Sequence, residues 1–66
     1  MTWTSKKFYR AGTHYFSNCE RFTIFTQGGD NLLAKIADDQ SREVIASGSI
    51  TRLKALALEI ATDEAN

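Results

Sequence analysis

The chain has 66 residues, which is enough for one small domain with one hydrophobic core. Hydrophobic residues make up 42%, charged residues make up 24% and proline is absent, so the composition excludes a disordered chain and a proline-rich ligand. Eight basic and eight acidic side chains cancel, so no net charge draws the chain to nucleic acid or to an anionic membrane. We expect residues 1–66 to form a single domain.

The N-terminal segment is rich in aromatic rings, and all seven aromatic residues lie within residues 1–25. Residues 6–10 and 14–16 are either two short strands that reverse at residues 11–13, or a loop or one turn of helix. Because one helix covers only one face of a sheet, we expect this segment to cover the opposite face, whichever form it takes.

The middle of the chain has the alternation of a β-sheet. Residues 21–27 (RFTIFTQ) are β-branched and aromatic with a period of two, which predicts a strand. Residues 28–31 are four consecutive turn-formers and predict a hairpin reversal. Residues 32–37 and 42–46 predict two further strands around a polar reversal. The pattern indicates a small antiparallel meander of three to five strands.

The C-terminal segment has the periodicity of a helix. Ser47 or Ser49 is suited to cap its start, residues 50–61 are strong helix formers, and residues 62–66 are expected to fray. One helix face carries Ile50, Leu53, Leu56, Ala57, Ile60 and Ala61. The predicted fold class is therefore α+β, with this C-terminal helix packed on one face of the sheet.

The six apolar residues on that helix face, here called the helix stripe, need an apolar sheet face to pack against. We expect that face to carry Phe22, Ile24, Leu32, Ala34, Ile36 and Val44. The same alternation places Phe25, Leu33 and Ile45 on the opposite face.

No set of residues completes a catalytic site or a metal site. Gly28-Gly29 lacks the following helix and the Lys-Ser/Thr pair of a phosphate loop, so a hairpin turn is the better interpretation. His14 and Cys19 are the only histidine and cysteine, too few for zinc and without an orienting group for a nucleophilic pair, so Cys19 is expected to be a small buried thiol. We expect no enzymatic activity, no cofactor and no metal.

Charge is distributed unevenly along the chain. Residues 1–33 carry four basic and two acidic side chains, whereas residues 34–66 carry four basic and six acidic ones, so the neutral chain is expected to be dipolar. The acidic residues form two clusters, one at a turn (Asp38, Asp39 and Glu43) and one at the helix end (Glu59, Asp63 and Glu64). They are either solvated charge or a patch that meets lysines and arginines on a protein surface that normally holds nucleic acid. Leu58, about 100° from the helix stripe, is either a simple exposed leucine or a partner contact. The candidate partner-binding residues are Asp38, Asp39, Glu43, Leu58, Glu59, Asp63 and Glu64.

The segment KKFYR interleaves cations with aromatic rings, as nucleic-acid binders do. The other interpretation places Phe8 in the core and makes Lys6, Lys7 and Arg10 a solvated strand face. The neutral net charge favours this second interpretation.

Two features bear on location. The single cysteine cannot form an internal disulfide and fits a reducing cytoplasm. The first seven residues lack the apolar run of a signal peptide, and the longest apolar run, residues 55–58, is too short to cross a bilayer. We expect a cytoplasmic protein with no membrane partner.

In size, uneven charge, lack of a catalytic set and meander-plus-helix design, the chain resembles the small phage-encoded anti-CRISPR proteins. Its opening, MTWTSKKFYRAGTHYF, is similar to inhibitors of type I-C CRISPR systems. The resemblance implies a non-catalytic inhibitor that binds a type I surveillance complex (Cascade) and blocks the binding of target DNA. It implies an effector subunit of the host as protein partner, the host-cell cytoplasm as location, a monomer, and no direct binding of nucleic acid.

The neutral net charge departs from the strongly acidic members of that family that mimic DNA, so a local acidic patch or steric blockage is the expected mode. The alternative is a small nucleic-acid-binding or regulatory domain that uses Lys6, Lys7, Arg10 and the neighbouring rings. A third possibility is a domain that only oligomerises.

Overall fold

The computed structural model describes residues 1–10 and 12–65 of the chain. Its elements are β1 (Trp3–Phe8), β2 (Gly12–Ser17), β3 (Phe22–Gln27), β4 (Asp30–Ile36), β5 (Arg42–Ser47) and α1 (Ile50–Ala65). The five strands form one sheet in chain order, every neighbouring pair is antiparallel, and α1 packs against β3 and β4. The predicted α+β meander with a C-terminal helix is confirmed.

The N-terminal segment extends the sheet instead of covering it. β1 and β2 form a hairpin that pairs Trp3 with Ser17 and Phe8 with Gly12, and β2 joins the edge of β3. The two-strand alternative is therefore correct, with the reversal between Phe8 and Gly12; Ala11, part of the predicted turn, lies outside the described residues. The prediction that this segment covers the second sheet face is wrong, because pairing in the plane of the sheet satisfies its backbone hydrogen bonds.

The β3–β4 hairpin has a two-residue loop that fixes its register. Gly28 and Gly29 have φ angles of 62° and 86°, the left-handed values that a type I′ turn requires at both positions. This loop pairs Gln27 with Asp30, so β4 begins at Asp30, two residues before its predicted start.

The core lies between α1 and one face of the sheet. Phe22, Ile24 and Leu33 of the sheet, with Leu53 and Ala57 of the helix, are at most 1% exposed and form one cluster. Partly buried side chains surround that cluster: Trp3, Tyr15, Ala46, Ile50, Leu56, Ile60 and Ala61. The predicted helix stripe is therefore confirmed, and the pairing of apolar surfaces supplies the main stabilising term of the fold.

The predicted partner face of that stripe is correct for only two of its six residues. Phe22 and Ile24 face the helix and Phe25 faces away, but β4 is turned over relative to the prediction, so Leu33 belongs to the core. The face away from the helix carries the other four predicted partners, Leu32, Ala34, Ile36 and Val44. Because the loop between β3 and β4 has two residues, the register places Leu33 directly opposite Ile24. Directly paired residues share a face of the sheet, so Leu33 lies on the helix side with Ile24.

A β-bulge in β5 interrupts the alternation of that strand. The register passes from Leu33 paired with Ala46 to Ala34 paired with Val44, which leaves Ile45 without a residue opposite it. Ile45 and Val44 are both exposed. The predicted alternation of β5 therefore does not extend past Val44.

The start of α1 is capped by the second of the two candidate serines. The Ser49 hydroxyl accepts a hydrogen bond from the Arg52 backbone N–H at 3.2 Å, which satisfies one donor of the first helical turn. The helix therefore begins at Ile50, as predicted.

The end of α1 lies beyond the predicted boundary at Ala61. The Thr62 hydroxyl donates to the Leu58 carbonyl at 2.8 Å, and Glu64 forms ion pairs with side chains of the sheet. Since these contacts stabilise the last turn, residues 62–65 are helical rather than frayed; residue 66 lies outside the described residues.

Candidate functional site

The two predicted acidic clusters lie at the same end of the molecule. Lys35 connects them, because it is paired with Glu43 across β4 and β5 and forms an ion pair with Glu64 near the end of α1. The fold explains this meeting. β5 runs away from the β4–β5 turn, and α1, about 24 Å long, runs back beside a sheet whose strands are about 20 Å long.

Glu64 is the most strongly held of the predicted partner-binding residues. Its two carboxylate oxygens contact Arg21 and Lys35 separately. The hydrogen bond from Lys35, with the added attraction of Arg21, holds the pKa of the Glu64 carboxyl below its ordinary value despite some desolvation. Glu64 therefore fastens the helix end to the sheet and is poorly placed to meet a partner.

The other acidic residues present their charge to solvent. Asp38 and Asp39 occupy the exposed β4–β5 turn, and Glu59 and Asp63 are exposed on α1. Hydrogen bonds from the side chain and backbone N–H of Ser41 lower the pKa of the Asp39 carboxyl, so this carboxyl stays ionised into mildly acidic solution. The exposed carboxylates of both clusters are therefore available to a single docking partner.

Topology separates charge along the strand direction. One end of the molecule, here called the basic end, bears the β1–β2 and β3–β4 turns and the start of α1. It carries five basic side chains and one acidic one: Lys6, Lys7, Arg10, Arg52 and Lys54, with Asp30. The acidic end carries Glu20, Asp38, Asp39, Glu43, Glu59, Asp63 and Glu64 against Arg21, Lys35 and Arg42. Five basic and one acidic side chains give the basic end +4, and three basic and seven acidic give the acidic end −4. The neutral chain is therefore dipolar, but each end draws on both halves of the sequence rather than on residues 1–33 or 34–66 alone.

Leu58 is exposed at 49%, which agrees with its position off the helix stripe. It lies on the outer surface of α1, about 100° around the helix axis from Glu59. Leu58 and the acidic residues of α1 therefore point to different sides of the molecule, and one flat partner surface would not contact all of them.

An open cleft of about 540 Å³ lies at the acidic end, between the β2–β3 connection and the β4–β5 turn. Ser17, Cys19, Arg21, Asp38 and Arg42 contribute to its walls. Sequence reasoning missed this cleft, because it left the form of residues 1–19 open.

Cys19 is exposed in this cleft, so its prediction as a buried thiol is wrong. It lies in the connection after β2, where the chain leaves the sheet. Its sulfur is 3.3 Å from the Ser17 hydroxyl. Desolvation raises the pKa of the Cys19 thiol, but the Ser17 hydroxyl, neighbouring backbone amides and Arg21 outweigh it, and the net pKa is lowered.

The basic-aromatic segment at the N-terminus is divided between the two sheet faces. Lys6 and Phe8 lie on the face away from α1, Lys7 on the helix side, and Tyr9 and Arg10 in the β1–β2 turn. Tyr9 is 97% exposed. The structure therefore does not bring this segment together as one continuous patch.

Four aromatic rings that the sequence did not predict to be neighbours lie together on the sheet face away from α1, here called the open face. His14 is surrounded by three phenylalanines, with centroid distances of 4.6 Å to Phe8, 5.9 Å to Phe25 and 6.3 Å to Phe16. Sequence reasoning missed this group because it expected residues 1–19 to cover the face. The spacing of two residues between His14 and Phe16 places both side chains on one face of a strand, and it is the signal that could have revealed part of this group.

Within residues 1–10 and 12–65, no three His, Cys, Asp or Glu side chains form a group that could hold a metal ion. No helix in the same part of the chain has the length and apolar character needed to cross a membrane.

No protein-family model, curated protein or solved structure matches this chain.

Proposed function

We propose that this protein is a non-catalytic inhibitor that binds a type I CRISPR surveillance complex and prevents the complex from binding target DNA. The observation that supports this proposal is the meeting of two acidic clusters at Lys35, which gives one end of a neutral molecule a charge of −4. A groove that holds DNA is lined with lysine and arginine, and a compact acidic end is complementary to such a groove. The resemblance of the N-terminal sequence to type I-C inhibitors names the class of partner.

The mode of binding follows from the separation of the two charged ends. At physiological ionic strength, electrostatic interactions between exposed charges are screened over about 8 Å. The ends are separated by about 20 Å, the length of a six-residue strand. A basic groove would therefore attract the acidic end without strong opposition from the basic end, and whole-molecule mimicry of DNA is unnecessary.

A titration tests the proposed inhibition directly. Purified protein is added to a type I-C surveillance complex, and binding of a labelled target duplex is measured at each step. We expect target binding to stop at a fixed stoichiometric ratio and the protein to co-elute with the complex in gel filtration. Unchanged target binding at a large molar excess contradicts the proposal, and loss of target binding at catalytic amounts of protein contradicts the non-catalytic part.

A second experiment tests the acidic end. Asp38→Lys with Asp63→Lys changes the charge of that end by four units and leaves the Glu64 ion pairs intact. The matched control, Lys7→Glu with Arg10→Glu, changes the basic end by the same amount. All four substituted residues are exposed, so we expect both variants to fold. Thermal melting checks this.

We expect the acidic-end variant to associate more slowly with the surveillance complex, with a weaker dependence on salt, because exposed charges act mainly on encounter. The control should associate at least as fast as wild type. Equal rates for both variants and wild type would exclude electrostatic docking and leave steric blockage through an apolar surface as the mode.

A further inference from the structure

No second helix of the described residues packs on the sheet face away from α1, although Thr23 and Ala34 at its centre are 0% exposed. Ile24 and Leu33 contact the helix, so the residues that alternate with them point to the other side. β1 and β2 enlarge this second face rather than shielding it. A five-stranded sheet of six-residue strands presents there a surface of about 20 Å by about 24 Å.

The part of this face toward β1 is aromatic. Phe8, His14, Phe16 and Phe25 form the contiguous ring group, and each residue is only partly buried. Aromatic rings exposed on a sheet offer stacking surfaces to unpaired bases. The His14 ring also carries nitrogen atoms that can hydrogen-bond a base edge or a phosphate.

The charge of this face selects among possible ligands. The register places three charged strand residues on this face, Lys6 and Arg42 in the two edge strands and Asp30 at the start of β4, so its net charge is positive. The Lys6 ammonium is 5.6 Å from the Phe8 ring centroid, so a cation and a stacking surface adjoin each other. A second copy of the chain would bring a face of the same positive net charge against it, whereas the negative phosphates of a nucleic-acid strand complement it.

We propose that this open face binds single-stranded nucleic acid, with bases stacked on Phe8, Phe16 and Phe25 and a phosphate held by Lys6. This activity is separate from the proposed inhibitor function, because it requires neither the acidic end nor a CRISPR complex. The neutral net charge of the chain does not oppose it, since the open face itself carries Lys6 and Arg42 against Asp30.

The experiment is fluorescence anisotropy with labelled single-stranded DNA and RNA of mixed sequence and about 12 nucleotides, within the site sizes of small single-strand-binding folds. The purified full chain is used without any effector complex. The variants are Phe8→Ala, at the end of edge strand β1, and Lys6→Glu, at an exposed position. The matched control is Lys54→Glu, because the Lys54 ammonium also lies over a ring, 4.8 Å from the Tyr15 centroid, but on the helix side.

We expect Phe8→Ala to weaken binding by about 5- to 150-fold, the effect of losing one stacked base. Lys6→Glu should reduce the slope of log affinity against log salt by at least about 0.7, the value for one phosphate contact with a single strand. Lys54→Glu should bind as wild type does.

Three results would overturn the proposal. The first is no binding of either single strand at low salt, and the second is an equal loss of binding in Lys54→Glu and Lys6→Glu. The third is a protein of twice the chain mass in analytical ultracentrifugation that Phe8→Ala converts to monomer, which would assign the face to contact between copies. Failure of the inhibition titration would leave this test unaffected.

Discussion

Replacing Leu53 with alanine is expected to remove a large part of the stability of the domain. Leu53 is 1% exposed and packs against Phe22, Ile24 and Leu33 across the helix–sheet interface. Truncating a buried leucine costs about 2–5 kcal/mol, through lost burial and the cavity that remains. A domain of this length is stabilised by only about 3–10 kcal/mol, and each kcal/mol lost lowers Tm by about 4–8 °C. The melting temperature should therefore fall by roughly 8–40 °C.

Leu58→Ala is the matched control, because it makes the same chemical change in the same helix at a residue that is 49% exposed. Its free energy of unfolding should stay within about 0.5 kcal/mol of wild type, since leucine and alanine have similar helix propensities and no core contact is lost. Both variants are measured by circular dichroism during thermal and urea unfolding. If Leu58→Ala unfolds the protein while Leu53→Ala melts like wild type, the rotation assigned to the helix is refuted.

Further outcomes follow from single side chains. The depressed pKa of Glu64 means that its stabilising contribution is complete above the ordinary value of 4.5 and is lost as the pH falls through the lower folded-state pKa. Glu64→Gln should therefore flatten the dependence of the urea midpoint on pH in that acidic range, and an unchanged profile would contradict the role given to the Lys35 and Arg21 pairs. Thr23 is fully buried and its hydroxyl has no hydrogen-bond partner among the described residues, so Thr23→Val should stabilise the fold by about 1 kcal/mol in urea unfolding, and destabilisation would show that the hydroxyl is satisfied. Cys19, exposed and with a lowered pKa, should react with a thiol reagent in the folded protein at pH 7 or above about as fast as in urea, and protection until unfolding would contradict its exposure.

The strands and helix of residues 20–61 could be predicted because their local patterns agree with the final contacts. The error in β4 shows where such patterns stop being sufficient. Leu32, Ala34 and Ile36 make the more apolar side of that strand, and apolar count alone assigned them to the core. The register of the Gly28-Gly29 hairpin overrides that count, because a two-residue loop places Leu33 directly opposite Ile24.

The meeting of the two acidic clusters is a property of topology rather than of local sequence. In a meander, alternate turns lie at the same end, and a helix that follows β5 returns toward the β4–β5 turn. Asp63 and Glu64 lie near that turn only because the helix continues past Ala61, where the sequence predicted its end. The contacts of Glu64 with Arg21 and Lys35 join distant segments, which is why local helix propensity could not predict the last turn.

The separation of charge also predicts where a single strand lies on the open face. Lys6 is near the basic end, whereas Arg42 shares the cleft at the acidic end with Asp38. The carboxylates of the acidic end, including Asp38 in the shared cleft, offset the attraction of Arg42 for phosphate, whereas Asp30 is the one acidic residue assigned to the end near Lys6. Lys6→Glu should therefore weaken binding of a single strand more than Arg42→Glu does, as measured by anisotropy at low salt with folding confirmed for both. Because the two substitutions change charge equally on the same face, a larger loss in Arg42→Glu would show that the strand lies at the acidic end and that local charge does not position it.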